Sequence, residues 1–336
     1  MNLADVAMIF AFLGFSLYIV LDGYDLGIGV LTLFNRDNRR RRQMHALVAW
    51  LWDGNESWLV LTALIAWTAV PLAFGVALPA LYLPLMLMLF ALIARGFAIE
   101  MVDQYPGWHR FWGPLFGLGS LVAALCQGAA FGAVIAGINV QGTTFVGGPF
   151  TFLHGGYAVL TGLTAVALYC VAGSAWVYFK SDPGLRRWVS YSGRIAIVAL
   201  AVGTAPSWLL AQDSGPVVLH PFDAVRLPIW VAGAVILAAG LAFGFVAFSG
   251  APNTGEVSRR PVLATLGMYV GGLAIAAGLV YPVLVPPSIT VHSAASPQAT
   301  LVWLLIACGI IVPVTIAYQA LGYWVFGRRV KEYTAA

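Results

Sequence analysis

Six ionisable residues stand out in a chain of 336 residues that is 61% hydrophobic and only 9% charged: Asp22, Asp25, Asp53, Glu56, Arg95 and Glu100. All six fall within the first three long apolar runs, whereas the later runs carry essentially no acid away from their ends. Asp22 and Asp25 are three residues apart, as are Asp53 and Glu56, so each pair would share one helix face. A carboxylate in hydrocarbon needs a cation, hydrogen bonds, water or a bound proton. Arg95 is the one cation placed to serve. Two chemistries fit this set: proton conduction along a chain of carboxyl groups, and a structural salt-bridge centre.

Depth favours the first. With a rise of 1.5 Å per residue, Asp25 would lie roughly 15 Å and Asp22 roughly 20 Å from the end of the first run near Asn35. Measured from Leu47, Asp53 and Glu56 would lie about 9 and 14 Å deep, and from Asp103, Glu100 and Arg95 about 5 and 12 Å. These depths interleave into a ladder that runs from one membrane face toward the middle.

The elements that must hold the ladder are membrane helices. A soluble domain carries about 25% charged residues, far more than this chain could offer a water-facing surface. At roughly 20 apolar residues per span, the pattern predicts an all-α, polytopic integral membrane protein. About nine transmembrane helices are expected, near 8–34, 47–70, 79–103, 115–138, 156–179, 193–211, 227–248, 262–285 and 299–326. The outer loops, Gly142 to Pro149 and Pro286 to Pro297, are nearly uncharged and are expected to pack on protein. Of the 17 Lys and Arg residues, 15 fall at alternate junctions on one side, including Arg36, Arg39 to Arg42, Arg110, Lys180, Arg186, Arg187 and Arg328. Arg226 alone sits near the other side. The positive-inside rule then places the N-terminus outside and the C-terminus in the cytoplasm. The first run lacks the features of a cleaved signal peptide and is expected to remain as a span.

Other chemistries lack support. Cys126, Cys170 and Cys308 lie singly in apolar runs without a zinc or disulfide pattern. His45, His109, His154, His220 and His292 fall in loops or near span ends, so converging imidazoles for a haem–copper centre are missing. No Walker loop, dinucleotide fingerprint, GxSxG elbow or HExxH motif occurs, and nothing points to nucleic acid. Gly23 and Gly27 form a GxxxG that would let another helix backbone approach the first span closely.

The motifs themselves carry a resemblance. Leu21-Asp22-Gly23-Tyr24-Asp25-Leu26-Gly27-Ile28-Gly29 resembles the DG(F/Y)D(L/M)GxG signature of subunit II of the cytochrome bd-type quinol oxidases, including the cyanide-insensitive branch. Trp52-Asp53-Gly54-Asn55-Glu56-Ser57-Trp58 is similar to that family's WDGNExW segment, and Arg95-Gly96-Phe97-Ala98-Ile99-Glu100 to its RGxAxE stretch. Tyr281-Pro282, Val285 to Thr290 and Tyr323-Trp324-Val325-Phe326 resemble its C-terminal block. The four blocks keep the family order along nearly the whole chain. Two positions depart from it: Ser57 stands where Thr is frequent, and Met101-Val102 follows Glu100 where the family often has Phe-Arg, removing a local cation from Glu100.

The resemblance implies two four-helix bundles plus one peripheral helix, read here as an N-terminal bundle over 1–140 and C-terminal helices over 150–336. It implies a haem-free subunit, with haems b and d and the quinol site in a partner subunit I, in a bacterial cytoplasmic membrane. Such a complex oxidises quinol and reduces dioxygen to water, drawing its protons from the cytoplasm. Asp22, Asp25, Asp53, Glu56, Arg95 and Glu100 would then line a proton path. Some members hold a quinone in subunit II as a structural lipid, and a small accessory subunit is a further candidate partner. Two alternatives remain at this point: a proton- or cation-coupled secondary transporter, and a purely structural membrane scaffold. Charge confined to one half of the chain argues against the two equivalent half-sites of a transporter with inverted repeats.

Overall fold

The computed structural model describes residues 2–50, 52–214, 226–250, 258–286 and 289–333. His220, Pro287 and Ser288 lie outside the described residues, as do the side chains of Asp103, His109, His154, Arg226, Phe326, Arg328, Arg329 and Lys331.

Among the described residues the chain is a bundle of α-helices. α1 (Leu3–Phe34) is a long helix of 32 residues, and Asn35 breaks it in an extended conformation. Asp37 then accepts hydrogen bonds from the backbone N–H of Arg39 at 2.9 Å and Arg40 at 3.4 Å, which starts α2 (Asn38–Ala46), a short helix carrying the arginine run. α3 (Trp52–Ala69), α4 (Pro71–Ala80) and α5 (Tyr82–Gln104) follow, with Pro71 opening α4. α6 (His109–Ala136) returns antiparallel beside α5.

In the second half, α7 (Tyr157–Lys180) leads into α8 (Pro183–Ser214) through a tight turn at Asp182. α9 (Arg226–Ser249) pairs with α10 (Arg260–Val280), and α11 (Gln298–Tyr333) closes the chain. Eight of these helices are long and apolar enough to cross a membrane: α1 and α5 through α11.

The expected second span differs. Its helix starts at Trp52, not Leu47, and the polar stretch Trp52 to Ser57 inside only 18 residues keeps α3 below the hydropathy of a self-sufficient span. The break at Leu81 likewise separates the short apolar α4 from α5, where one run from residue 79 was expected. By contrast, α8 begins ten residues before the apolar run, because Asp182 accepts a hydrogen bond from the N–H of Leu185 at 2.9 Å and nucleates the turn.

Two antiparallel hairpins lie at one end of the bundle, β1 (Val140–Gln141) with β2 (Thr144–Phe145), and β3 (Val283–Val285) with β4 (Ile289–Thr290). Val285, Ile289, Val291 and Leu301 bury themselves against Ala4, Ala7, Ala69 and Val70, and Ser296 bonds the carbonyls of Thr68 and Ala69. That outer segment packs on protein as expected. The Gly142 to Pro149 segment does not: apart from half-buried Phe145 its side chains are exposed.

Glycine sets the tightest contact in the bundle. A Cβ on Gly27 would fall on the carbonyl of Tyr169, and one on Gly173 would strike the backbone of Gly27, so α1 and α7 meet backbone to backbone. Gly29 similarly admits Ser120 of α6. The GxxxG of α1, Gly23 and Gly27, therefore faces α7 and Tyr269 of α10, while Asp22 and Asp25 turn to α5 and α3.

Candidate functional site

Arg95 lies on α5 with its side chain fully buried. Its Nη2 donates to Asp22 Oδ1 on α1 at 2.7 Å and to Glu56 Oε1 on α3 at 2.5 Å. One nitrogen thus fixes two carboxylates from two other helices within about 5 Å of each other. Arg95 Nε and Nη1 and Asp22 Oδ2 find no hydrogen-bond partner among the described residues. Buried ion pairs of this kind are costly to break, because the survivor is left as an uncompensated charge.

Local packing explains why the sequence motifs meet here. A Cβ on Gly96 would run into the indole of Trp52, so the glycine beside Arg95 lets the start of α3 lie directly on α5. Gly119 of α6 gives the same clearance to Arg95 from the other side.

Asp25, one turn from Asp22, is buried and accepts from Asn55 Nδ2 at 2.7 Å. Asn55 is itself held from the far end of the chain: Gln319 Nε2 donates to its Oδ1 at 2.6 Å, and the Tyr323 hydroxyl at 3.3 Å. Gln319 also accepts from the indole of Trp58. On the other side of the cluster Tyr18 lies against Asp22. Its hydroxyl accepts from Gln127 Nε2 at 2.5 Å, and Gln127 Oε1 accepts from the Tyr169 hydroxyl at 2.7 Å.

The structure therefore brings Asp22, Glu56 and Arg95 into direct contact, with Asp25 beside them on the Asn55 amide. Asp53 and Glu100 are not in contact with the cluster. Asp53 is exposed in the first turn of α3, a turn before half-buried Glu56, and Glu100 is exposed on α5 without an ion pair among the described residues. Sequence reasoning missed Asn55, Gln319, Tyr18, Gln127 and Tyr169. Asn55 and Tyr323 lay inside quoted motifs, but uncharged polar residues give no signal of depth. Chemically, two carboxyl groups share one guanidinium and a third, Asp25, rests on an amide, so only part of their charge meets a fixed cation.

Among the described residues no three His, Cys, Asp or Glu side chains converge as metal ligands. Of the histidines whose side chains are described, His45 packs edge-on against Phe116 at the C-terminal end of α1, while His292 faces Asp5 at its N-terminal end.

A polytopic helical membrane protein with a buried Arg–carboxylate centre joining its first three long helices is the class these observations define. Residues 3–326 match the family described as cytochrome bd terminal oxidase subunit II, and the chain belongs to that family. It is 28% identical to the probable cytochrome oxidase subunit 2 of Haemophilus influenzae, with 96% of this chain and 93% of that protein covered. It is 25% identical to the cytochrome bd-I ubiquinol oxidase subunit 2 of Escherichia coli, covering 94% and 92%. In fold it is similar to a chain of the bd oxidase from Geobacillus thermodenitrificans, at a TM-score of 0.76 and 15% identity over 97% of this chain and 99% of that one.

Proposed function

We propose that this chain is the haem-free half of a quinol:oxygen oxidoreductase, paired with a haem-bearing subunit I in a bacterial cytoplasmic membrane. Its acid cluster relays protons from the cytoplasmic side toward the partner, where haems b and d reduce dioxygen to water with electrons from quinol. Family membership and the names of the relatives support the pairing. One observation carries the relay: two carboxylates from different helices are clamped on one buried arginine nitrogen, with a third held one turn away.

Each part has a distinct task. Arg95 stays protonated at any physiological pH and hands on nothing; it holds Asp22 and Glu56 within reach of each other. Exposed Asp53 collects protons at the mouth, half-buried Glu56 passes them inward, and buried Asp22 and Asp25 form the inner stations. Glu100 adds a second exposed acid at the same end of the bundle. Arginine clustering at the C-terminal end of α1 supports a cytoplasmic position for that end, with the N-terminus outside.

A purely structural centre is the second reading, and the complete burial of Arg95 and Asp22 favours it. Co-purification with subunit I, followed by reduced-minus-oxidised spectra of the complex and of this chain alone, tests the assignment. The complex should carry the full haem signal and the isolated chain none. A stoichiometric haem spectrum in the isolated chain would overturn the haem-free reading.

A further inference from the structure

A cavity of about 110 Å³ opens at the end of the bundle where α1 and α5 finish and α6 begins. Its wall on one side is a single face of α2, formed by Asn38, Arg41, Arg42 and His45. These residues sit at the i, i+3, i+4, i+7 spacing that aligns side chains on one stripe. Opposite them stands Arg110 in the first turn of α6. Three arginines thus line one small cavity.

Among the described residues these arginines have no acidic partner. Asp37, the nearest acid on α2's side, pairs with Arg40 at 3.5 Å, outside the cavity. The Nε of Arg41 donates to the Asn35 carbonyl at 2.5 Å, which fixes that side chain at the cavity wall without using its two terminal nitrogens. Arg110 and Gly113 put the first two turns of α6 on the cavity wall, and that helix opens without a side-chain cap, so its N-terminal dipole adds positive potential there. The floor is different: Phe116 and Val102 are buried and apolar, with the His45 ring edge-on to Phe116 at 5.3 Å.

We propose that this cavity binds a phosphate group presented by the headgroup of an anionic phospholipid. A basic rim over an apolar floor at a helix-bundle end matches a molecule that is anionic at its phosphate and apolar just below it. The arginines bind phosphate through paired N–H donors. Free phosphate shares the anionic chemistry but makes no use of the floor. Placement in the cytoplasmic leaflet rests on the orientation proposed above; binding itself does not.

The test uses the purified two-subunit complex in nanodiscs of phosphatidylcholine doped with phosphatidylglycerol, with retained lipid counted by native mass spectrometry. Arg41→Gln/Arg42→Gln/Arg110→Gln should weaken phosphatidylglycerol retention at least about tenfold. Arg36→Gln/Arg39→Gln/Arg187→Gln, which removes the same charge from exposed positions outside the cavity, should leave retention within about twofold. Should the cavity triple variant fail to assemble, exposed Arg110→Gln alone must still weaken retention. Equal loss in both triple variants would mean diffuse surface attraction and overturn the site, as would no loss in either. Displacement of the lipid by excess inorganic phosphate as readily as by phosphatidylglycerol would identify a free-anion site and overturn the lipid assignment. These outcomes leave the relay reading untouched, because none of the three arginines belongs to the acid cluster.

Discussion

Gln319 donates its side-chain amide to Asn55 across 264 residues of sequence, at 2.6 Å, inside the bundle. The last helix thereby holds the amide that in turn holds Asp25. Gln319→Leu should cost about 1–2 kcal/mol through lost hydrogen bonds to Asn55 and Trp58. If α11 is a working wall of the site, the variant complex should also turn over more slowly in quinol-dependent oxygen uptake. An unaltered rate in an assembled Gln319→Leu complex would confine α11 to packing.

The charged half of this site was legible in the sequence because charge in an apolar run has few meanings. Composition alone marks Arg95 as the one cation for the acids of the first three runs, and Gly23 and Gly27 as a close-approach face of α1, but it does not say that Asp22 and Glu56 are the two acids Arg95 takes. The uncharged half was not legible. Nothing in the residues around Gln319 distinguishes a buried amide from one at a helix surface, and its partner is fixed only by how α11 crosses α3. Depth was also misjudged for Asp53: it was measured from Leu47, whereas α3 starts at Trp52 and leaves Asp53 in the first turn. Apolar residues before a helix read the same as apolar residues within it.

Arg95→Leu should disrupt assembly, since Asp22 and Glu56 would remain as buried acids without a cation, at a cost on the order of 3–5 kcal/mol. Arg95→Lys keeps the charge but cannot reproduce the planar fork, and should give a weakened yet assembled complex. Yield of haem-loaded complex after affinity capture of this chain reads both. Equal yields of the Arg95→Leu and wild-type complexes would remove the ion pair from any structural role.

Gly27→Leu should abolish accumulation of the chain, because a side chain there occupies the space of the Tyr169 carbonyl and forces α1 from α7. Gly75→Leu, at a position with open space around it, serves as the matched control and should accumulate normally. Immunoblots of membranes compare the two.

The α7–α8 turn should respond to acid. Partial burial disfavours the Asp182 charge, but hydrogen bonds from the Leu185 and Gly184 N–H groups and the Gln43 amide, with Arg39 nearby, hold its carboxyl below the ordinary 3.8. A depressed carboxyl stabilises the fold above its unfolded value and loses that contribution as pH falls through the folded one, so the turn should loosen only below about pH 4. Asp182→Asn should remove this step. Limited proteolysis at the turn in detergent, followed across the acid range, would show protection in the wild type that the variant lacks at higher pH.

Relay and scaffold separate at Asp53 and Asp22. Replacing a carboxylate by its amide preserves shape and most hydrogen bonding while abolishing titration. Asp53 is exposed and touches neither Arg95 nor Asp22, so Asp53→Asn cannot unbalance the buried ion pair. The complex should assemble with its haems intact. If Asp53 gathers protons for Glu56, oxygen uptake should nevertheless fall, and most at alkaline pH, where bulk protons are scarce. Asp22→Asn removes one of the two acids on Arg95 but leaves Glu56 to balance it, so assembly should survive with turnover reduced more strongly than at the mouth. Glu56→Gln should behave like Asp22→Asn. A scaffold predicts the opposite order: Asp22→Asn and Glu56→Gln would lower the yield of complex, Asp53→Asn would do nothing, and whatever complex assembled would run at the wild-type rate. Oxygen-electrode rates per haem across pH 6 to 9 decide between them. Wild-type rates in both the Asp53→Asn and Asp22→Asn complexes would sink the relay.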